Sequence, residues 1–232
     1  MIRRFVSEPS PMDLLWEFAG RPSEATLIGS GTDLDLLGDW ATKASQAPGV
    51  LVVFNEKALE WLPCADLVVA NRAHSYKILL KKRPAGRLVA CLKNESDGVR
   101  HGEEMADGVI AIRRDACPIL DFMAGWVGAA NDGEIWRLSA GFYSCAFLKN
   151  CDVVRMAGFD GYMKLPRKTY RWHEGIKVNL DDKSSKSISG KHHDYGMEFA
   201  LLVSIAKAAG TRVLASLACV NVISGIEEWT ND

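Results

Sequence analysis

Residues able to handle an activated, anionic ligand fall in five stretches of this chain. His192-His193-Asp194-Tyr195-Gly196-Met197-Glu198 lies between a polar segment and an apolar one. A histidine with an ordinary pKa of about 6.5 can accept a proton from a hydroxyl at neutral pH. His193 and Glu198 would stand about 140° apart around a regular helix, so they do not form a tight pair. A capping or surface histidine fits the same local sequence. The spacing also falls short of the zinc-binding His-Glu-x-x-His pattern, and no metal is expected. Gly29-Ser30-Gly31-Thr32-Asp33 follows an apolar run and precedes a helical pattern. Glycines there let backbone approach a ligand, and free N–H groups at a helix start favour an anion. The stretch lacks the lysine of a P-loop and the third glycine of the dinucleotide fingerprint, and a tight turn explains it equally well. Asn55 ends another apolar run, where its amide could bond a base or ribose or simply form a turn. Ser139-Ala140-Gly141 opens an apolar helix, and Gly158-Phe159-Asp160-Gly161-Tyr162 closes a strand.

Alternating strands and helices must position these residues. Short apolar runs at 25–28, 50–54, 67–70, 88–92, 108–112, 153–156, 211–214 and 219–222 read as buried strands. Helical spacing is seen at 34–44, 73–82, 118–129, 141–149 and 198–209. Continuous apolar strands alternating with helices predict an α/β fold: one Rossmann-like domain, residues 1–232, with a mostly parallel sheet and helices on both faces. Ligands in such folds sit beyond the carboxyl ends of the strands. Residues 29–33, Asn55 and 158–162 are therefore site candidates on topology alone.

Segment 163–191 breaks the pattern. It carries eight Lys or Arg against three acids and shows no sustained periodicity. A lid closing over an anionic ligand has this composition, and so does a solvated insertion. The formal net charge of −1 gives no general pull toward nucleic acid. No apolar run reaches the roughly 18 residues of a membrane span. The arginines at 3 and 4 lack an apolar signal core after them, so a cytoplasmic protein is expected. None of the six cysteines forms a Cys-x-x-Cys pair, and most lie in apolar runs. They are expected to be reduced and buried.

The segment from Ser139 to Leu202 resembles the family-42 bacterial sialyltransferases, which build sialylated surface oligosaccharides. Ser139-Ala140-Gly141-Phe142-Tyr143-Ser144-Cys145-Ala146 is similar to their Thr-Ser-Gly turn and the helix after it. Ala157-Gly158-Phe159-Asp160-Gly161-Tyr162 resembles the strand end and tyrosine that face the donor phosphate. The stretch from Gly190 to Leu202 resembles the segment bearing the catalytic histidine, with His193 in register. Gly29-Ser30-Gly31-Thr32-Asp33 resembles the Gly-Asn-Gly-Pro-Ser loop, and Asn55 the asparagine that contacts the nucleotide. Ser30 replaces the loop asparagine, and Thr32-Asp33 replaces Pro-Ser. Asp33 would set a negative charge near a phosphate unless it caps the following helix. Tyr170 is an approximate counterpart of the second tyrosine, and Arg113 or Arg114 stands in for the acceptor-site arginine.

The resemblance implies transfer of a sialic-acid-like sugar from a CMP-activated donor to a glycan or glycolipid hydroxyl. His193 would be the base, and Tyr162 and Tyr170 would hold the departing phosphate. Gly29, Ser30, Gly31, Asn55, Ser139, Ala140, Gly141 and Asp160 would hold the nucleotide. No cofactor beyond the donor is implied, and peripheral contact with the inner membrane is compatible with relatives that act on lipid-linked glycans. Two other readings stay open. One is an enzyme like the pterin pyrophosphokinases, using ATP and a divalent metal. The other is a non-catalytic nucleotide- or glycan-binding module.

Overall fold

Strand β1 (Glu24–Ile28) is an interior strand, paired on both sides. The computed structural model describes residues 11–29, 39–54, 56–70, 88–93, 98–113, 140–159, 195–215 and 226–230. Helix α1 (Pro11–Phe18) precedes β1. After β1 come α2 (Trp40–Gln46), β2 (Val50–Phe54), a 3₁₀ turn at Glu56–Glu60 and β3 (Leu67–Ala70). Then follow β4 (Leu88–Lys93), β5 (Glu104–Ala106) and β6 (Val109–Arg113). A second 3₁₀ turn, Ala140–Ser144, leads into α3 (Cys145–Asn150) and β7 (Val153–Ala157). Helix α4 (Tyr195–Ala209), β8 (Arg212–Ala215) and β9 (Glu227–Glu228) complete the described elements.

The strands form one nine-stranded sheet in the order β5-β6-β4-β3-β2-β1-β7-β8-β9. Every neighbouring pair is parallel except β5 with β6. Parallel strands covered on both faces must be apolar throughout, which explains the unbroken hydrophobic runs. Alternate residues serve opposite layers. Leu27, Val52, Val69, Ile112 and Met156 face one core, packed with Phe142, Tyr143, Phe147 and Leu148 of the second turn and α3, and Leu202 and Val203 of α4. Ile28, Val53, Val68, Cys91 and Val109 face the other, packed with Trp40 and Ala44 of α2, and Ala58, Leu62 and Trp229. The expected α/β class, mostly parallel sheet and two-sided helical cover are all present.

Element boundaries differ in instructive ways. The helix expected at 34–44 starts only at Trp40. Asp39 (φ −77°, ψ 65°) is its non-helical cap, and Thr42 Oγ1 donates to Asp39 Oδ2 at 2.7 Å. The helix expected at 141–149 opens as the 3₁₀ turn, and the one expected at 198–209 already begins at Tyr195. The strand expected from residue 108 begins at Val109, after Gly108 turns the chain at φ +63°. The patterning did not reveal α1, β5 or β9. Cys91, Cys145 and Cys151 are buried as expected, but Cys64 is exposed. Its turn gives the core positions to Leu62 and Ala65 instead. The expected helices at 73–82 and 118–129, the strand at 219–222 and segment 163–191 lie outside the described residues, as do Cys117 and Cys219. Among the described residues no helix is long and apolar enough to cross a membrane.

Candidate functional site

Strand order reverses between β1 and β7. From β1 the chain steps through β2, β3, β4 and β6 to one side, then returns to lay β7, β8 and β9 on the other. The connections after β1 and β7 therefore lead to strands on opposite sides, which makes this the switch point beside which doubly wound folds bind ligands.

Two glycines meet at that switch point. The Gly29 N–H donates to the Ala157 carbonyl at 2.8 Å, extending the β1–β7 ladder by one bond. Gly158 takes φ +79°, a left-handed conformation that glycine adopts without penalty. The loops then run almost in backbone contact. A Cβ on Gly29 would lie 2.3 Å from the Gly158 carbonyl oxygen, and one on Gly158 would lie 2.5 Å from the Gly29 carbonyl oxygen. No other residue type fits either position without displacing main chain.

Phe159 follows directly. Its ring stands edge-on to Phe54, with centroids 5.5 Å apart and planes at 82°. Phe54 ends β2 and is only 4% exposed, and Phe159 is half-buried against the same core. Phe159 also roofs Gly29, with Cδ2 3.4 Å from where a Cβ would be. Side chains from the ends of β2 and β7 thus meet across the carboxyl end of β1.

Two further elements are aimed at the same edge. Helix α3 enters β7 from its amino end, where the Asp152 N–H bonds the Ser23 carbonyl at 2.7 Å. The 3₁₀ turn and α3 together rise about 19 Å, slightly more than β7 is long. Ala140 packs on the same core as Phe159. Helix α4 also ends at the amino edge, where Arg212 N–H bonds the Asp152 carbonyl at 2.9 Å. The Thr211 hydroxyl, 2.7 Å from the Leu148 carbonyl and 2.9 Å from that of Cys151, ties this end to α3. Fifteen helical residues reach back about 22 Å. Tyr195 consequently starts its helix at the carboxyl edge.

Of the sequence candidates, the structure brings Gly29 together with Gly158, while Ala140 and Gly141 open the 3₁₀ turn that leads into α3. Ser30, Gly31, Asn55, Ser139, Asp160, Tyr162, Tyr170 and His193 lie outside the described residues. Arg113 ends β6 beside Lys93 of β4, and its N–H donates to His101 Nδ1 at 3.2 Å. It stands four strand spacings from β1, roughly 19 Å along the edge. Arg114 is outside the described residues. The sequence reading placed Phe159 within a candidate stretch but gave its ring no role. The only signal was an aromatic directly after a strand-ending glycine.

No family model matches the sequence, and no curated protein matches it. Solved structures do match. That of a variant of the sialyltransferase CST-II in complex with CMP superposes with a TM-score of 0.55 over 90% of this chain and 87% of that one, at 14% identity. The chain has a sialyltransferase-like fold. The structure of CST-II with a trisaccharide acceptor and CMP gives a TM-score of 0.52 at the same identity, over 90% of this chain and 86% of that one. A third, of CstII from Campylobacter jejuni with the analogue CMP-3FNeuAc, gives 0.49 at 12% identity over the same shares of the two chains. Among the described residues no group of three or more His, Cys, Asp or Glu side chains could hold a metal ion.

Proposed function

We propose that this protein is a glycosyltransferase that moves a sialic-acid-like sugar from a CMP-activated donor to a glycan hydroxyl. The observation that carries the reading is the close approach of Gly29 and Gly158 at the β1–β7 switch. It lies in a fold whose solved counterparts include CST-II in complex with CMP, and with CMP and a trisaccharide acceptor. In this reading Gly29, Ser30 and Gly31 present backbone to the nucleotide phosphate, and Asn55 bonds the base or ribose. Ser139, Ala140 and Gly141 close the far side, with Asp160 on the loop after β7.

His193, two residues before α4, takes the proton from the acceptor hydroxyl as that oxygen attacks the anomeric carbon. The bond to the donor phosphate breaks in the same displacement, with inversion. Tyr162 and Tyr170 hydrogen-bond the departing phosphate, stabilising charge as it develops. The step uses no metal. The basic segment 163–191 supplies countercharge, and the acceptor is a free or lipid-linked glycan met in the cytoplasm or at the inner face of a membrane.

A thermal-shift panel of CMP, CDP, UDP, GDP and ATP, with and without Mg²⁺, tests the donor class. CMP at about 100 times its dissociation constant should add roughly 2.7 kcal/mol to stability. A shift with ATP and Mg²⁺ but none with CMP would move the assignment to a pyrophosphokinase-like enzyme. His193→Ala should cut turnover by about 10²–10⁴-fold with CMP affinity little changed, and His192→Ala should be far milder. Turnover that survives both changes would refute this mechanism.

A further inference from the structure

We infer that the ion pair between Glu24 and Arg155 is a positioning pair: it sets the register of β7 on β1 and so holds Gly29 opposite Gly158. Its effect on ligand binding rests on the nucleotide reading above; the register does not. Arg155 Nη1 lies 2.8 Å from Glu24 Oε2, and the two side chains are 15% and 34% exposed. Among the described interior strands, only β7 carries a charge away from its ends. Arg155 pairs in register with Thr26, and Glu24 is two residues nearer the amino end of β1. Both stand on the face of Ile28 and Ala157. The Thr26 hydroxyl beside them is 1% exposed and has no hydrogen-bond partner among the described residues.

A polar seam buried in this way is a poor source of stability, and its best-attested use is to specify register. β1 and β7 need such a device. Their remaining side chains are apolar on both faces, so a one-residue slip would exchange one apolar set for another. Arg155 forbids it, since the slip would turn a guanidinium into the core of Leu27 and Met156. A two-residue slip toward the carboxyl end of β1 would set Arg155 against Ile28, about 13 Å from Glu24 and out of reach. The opposite slip would set Gly158 against Leu27, which carries the Cβ that the close approach at Gly158 does not tolerate. One register satisfies both the ion pair and the glycines, and in it the Gly29 N–H bonds the Ala157 carbonyl at 2.8 Å.

Amide hydrogen exchange by NMR on the full chain tests this, with CMP calorimetry alongside. Arg155→Met keeps an unbranched stem and removes the charge. The Gly29 amide should then exchange roughly 2- to 150-fold faster, the span of coupling within one ion-pair network, while the amides of β3 change far less. Arg155→Lys should restore Gly29 protection, because the pair is a single bond that an ammonium can also make. Glu24→Gln should move Gly29 exchange in the same direction as Arg155→Met, and it decides the matter if Arg155→Met does not fold. CMP affinity should fall in Arg155→Met and return in Arg155→Lys. Unchanged exchange at Gly29 would overturn the inference. Equal acceleration of Gly29 and β3 would do the same, since the pair would then supply stability only. CMP affinity that ignores Arg155→Met while Gly29 exchange rises would remove the positioning role at the ligand site. Gly29 exchange that follows the pair in a protein that binds no CMP would uphold the register and sink the nucleotide reading.

Discussion

One methyl group is enough to probe the glycine contact at the switch point. Gly29→Ala would drive a Cβ to 2.3 Å from the Gly158 oxygen and 2.9 Å from its carbonyl carbon, both backbone atoms, which cannot swing aside as a long side chain does. Gly158→Ala adds the strain of φ +79° on a residue with a Cβ. Each change should cost about 1–3 kcal/mol, measured as a lower denaturation midpoint in urea. Gly20→Ala is the control, since nothing lies within 4 Å of its Cβ position although its φ is also positive at +88°. If Gly158→Ala costs no more than Gly20→Ala, the close approach of the loops is not real. Both site glycines are visible in the sequence as turn residues. Their meeting is not, because it depends on β1 choosing β7 as its neighbour.

Cys151 shows the same scale at the opposite edge of the sheet. Its thiol donates to the Pro22 carbonyl at 3.2 Å. Burial, helped by the nearby charge of Asp152, pushes its pKa from 9.0 up to about 12. The unfolded thiol ionises near pH 9 while the folded one stays protonated, so the native state loses stability as pH climbs from about 9 toward 12. Below that window the contribution is fully present. Urea denaturation at pH 8 and pH 10.5 should show a smaller drop for Cys151→Ala than for wild type. Equal drops would mean that this thiol ionises freely in the folded protein.

At the scale of elements, strands were easier to read than helix ends. Val50–Phe54 and Leu67–Ala70 are continuous apolar runs, and a strand buried on both faces leaves no other pattern. Helix starts depend on single capping groups. Asp39 stops α2 from extending backward, and its carboxylate bonds to Thr42 could not be told from any other exposed aspartate in the sequence. The two- and three-residue edge strands β9 and β5 are too short to show alternation. The early start of α4 at Tyr195 leaves only one residue between the helix and the proposed base, His193. Segment 163–191 is proposed to be a lid, and its amides should exchange faster without CMP than with it. Equal exchange in both states would make it a passive insertion.

At the scale of the whole molecule, the chain is tied together through β1, the strand at which the order reverses. Both sides of the sheet depend on β1, which pairs with β2 over Ala25–Ile28 and with β7 over Glu24–Ile28. Helix α1 packs on α3, and Lys149 Nζ reaches Asp13 Oδ1 at 2.8 Å, joining the start of the described chain to the entry of β7. A boundary through this arrangement would have to split a parallel sheet at its centre and expose apolar strand faces on both sides. Residues 1–232 should therefore unfold as one cooperative unit, with calorimetric and van't Hoff enthalpies in agreement. The proposed ligand bridges the same central seam, so CMP should raise that single transition as a whole rather than one part of it. For a chain of this size, 2.7 kcal/mol corresponds to a rise of roughly 5–11 °C. Two resolved transitions, with only one moved by CMP, would mean that the strands on either side of β1 form separate units and that the nucleotide belongs to just one of them.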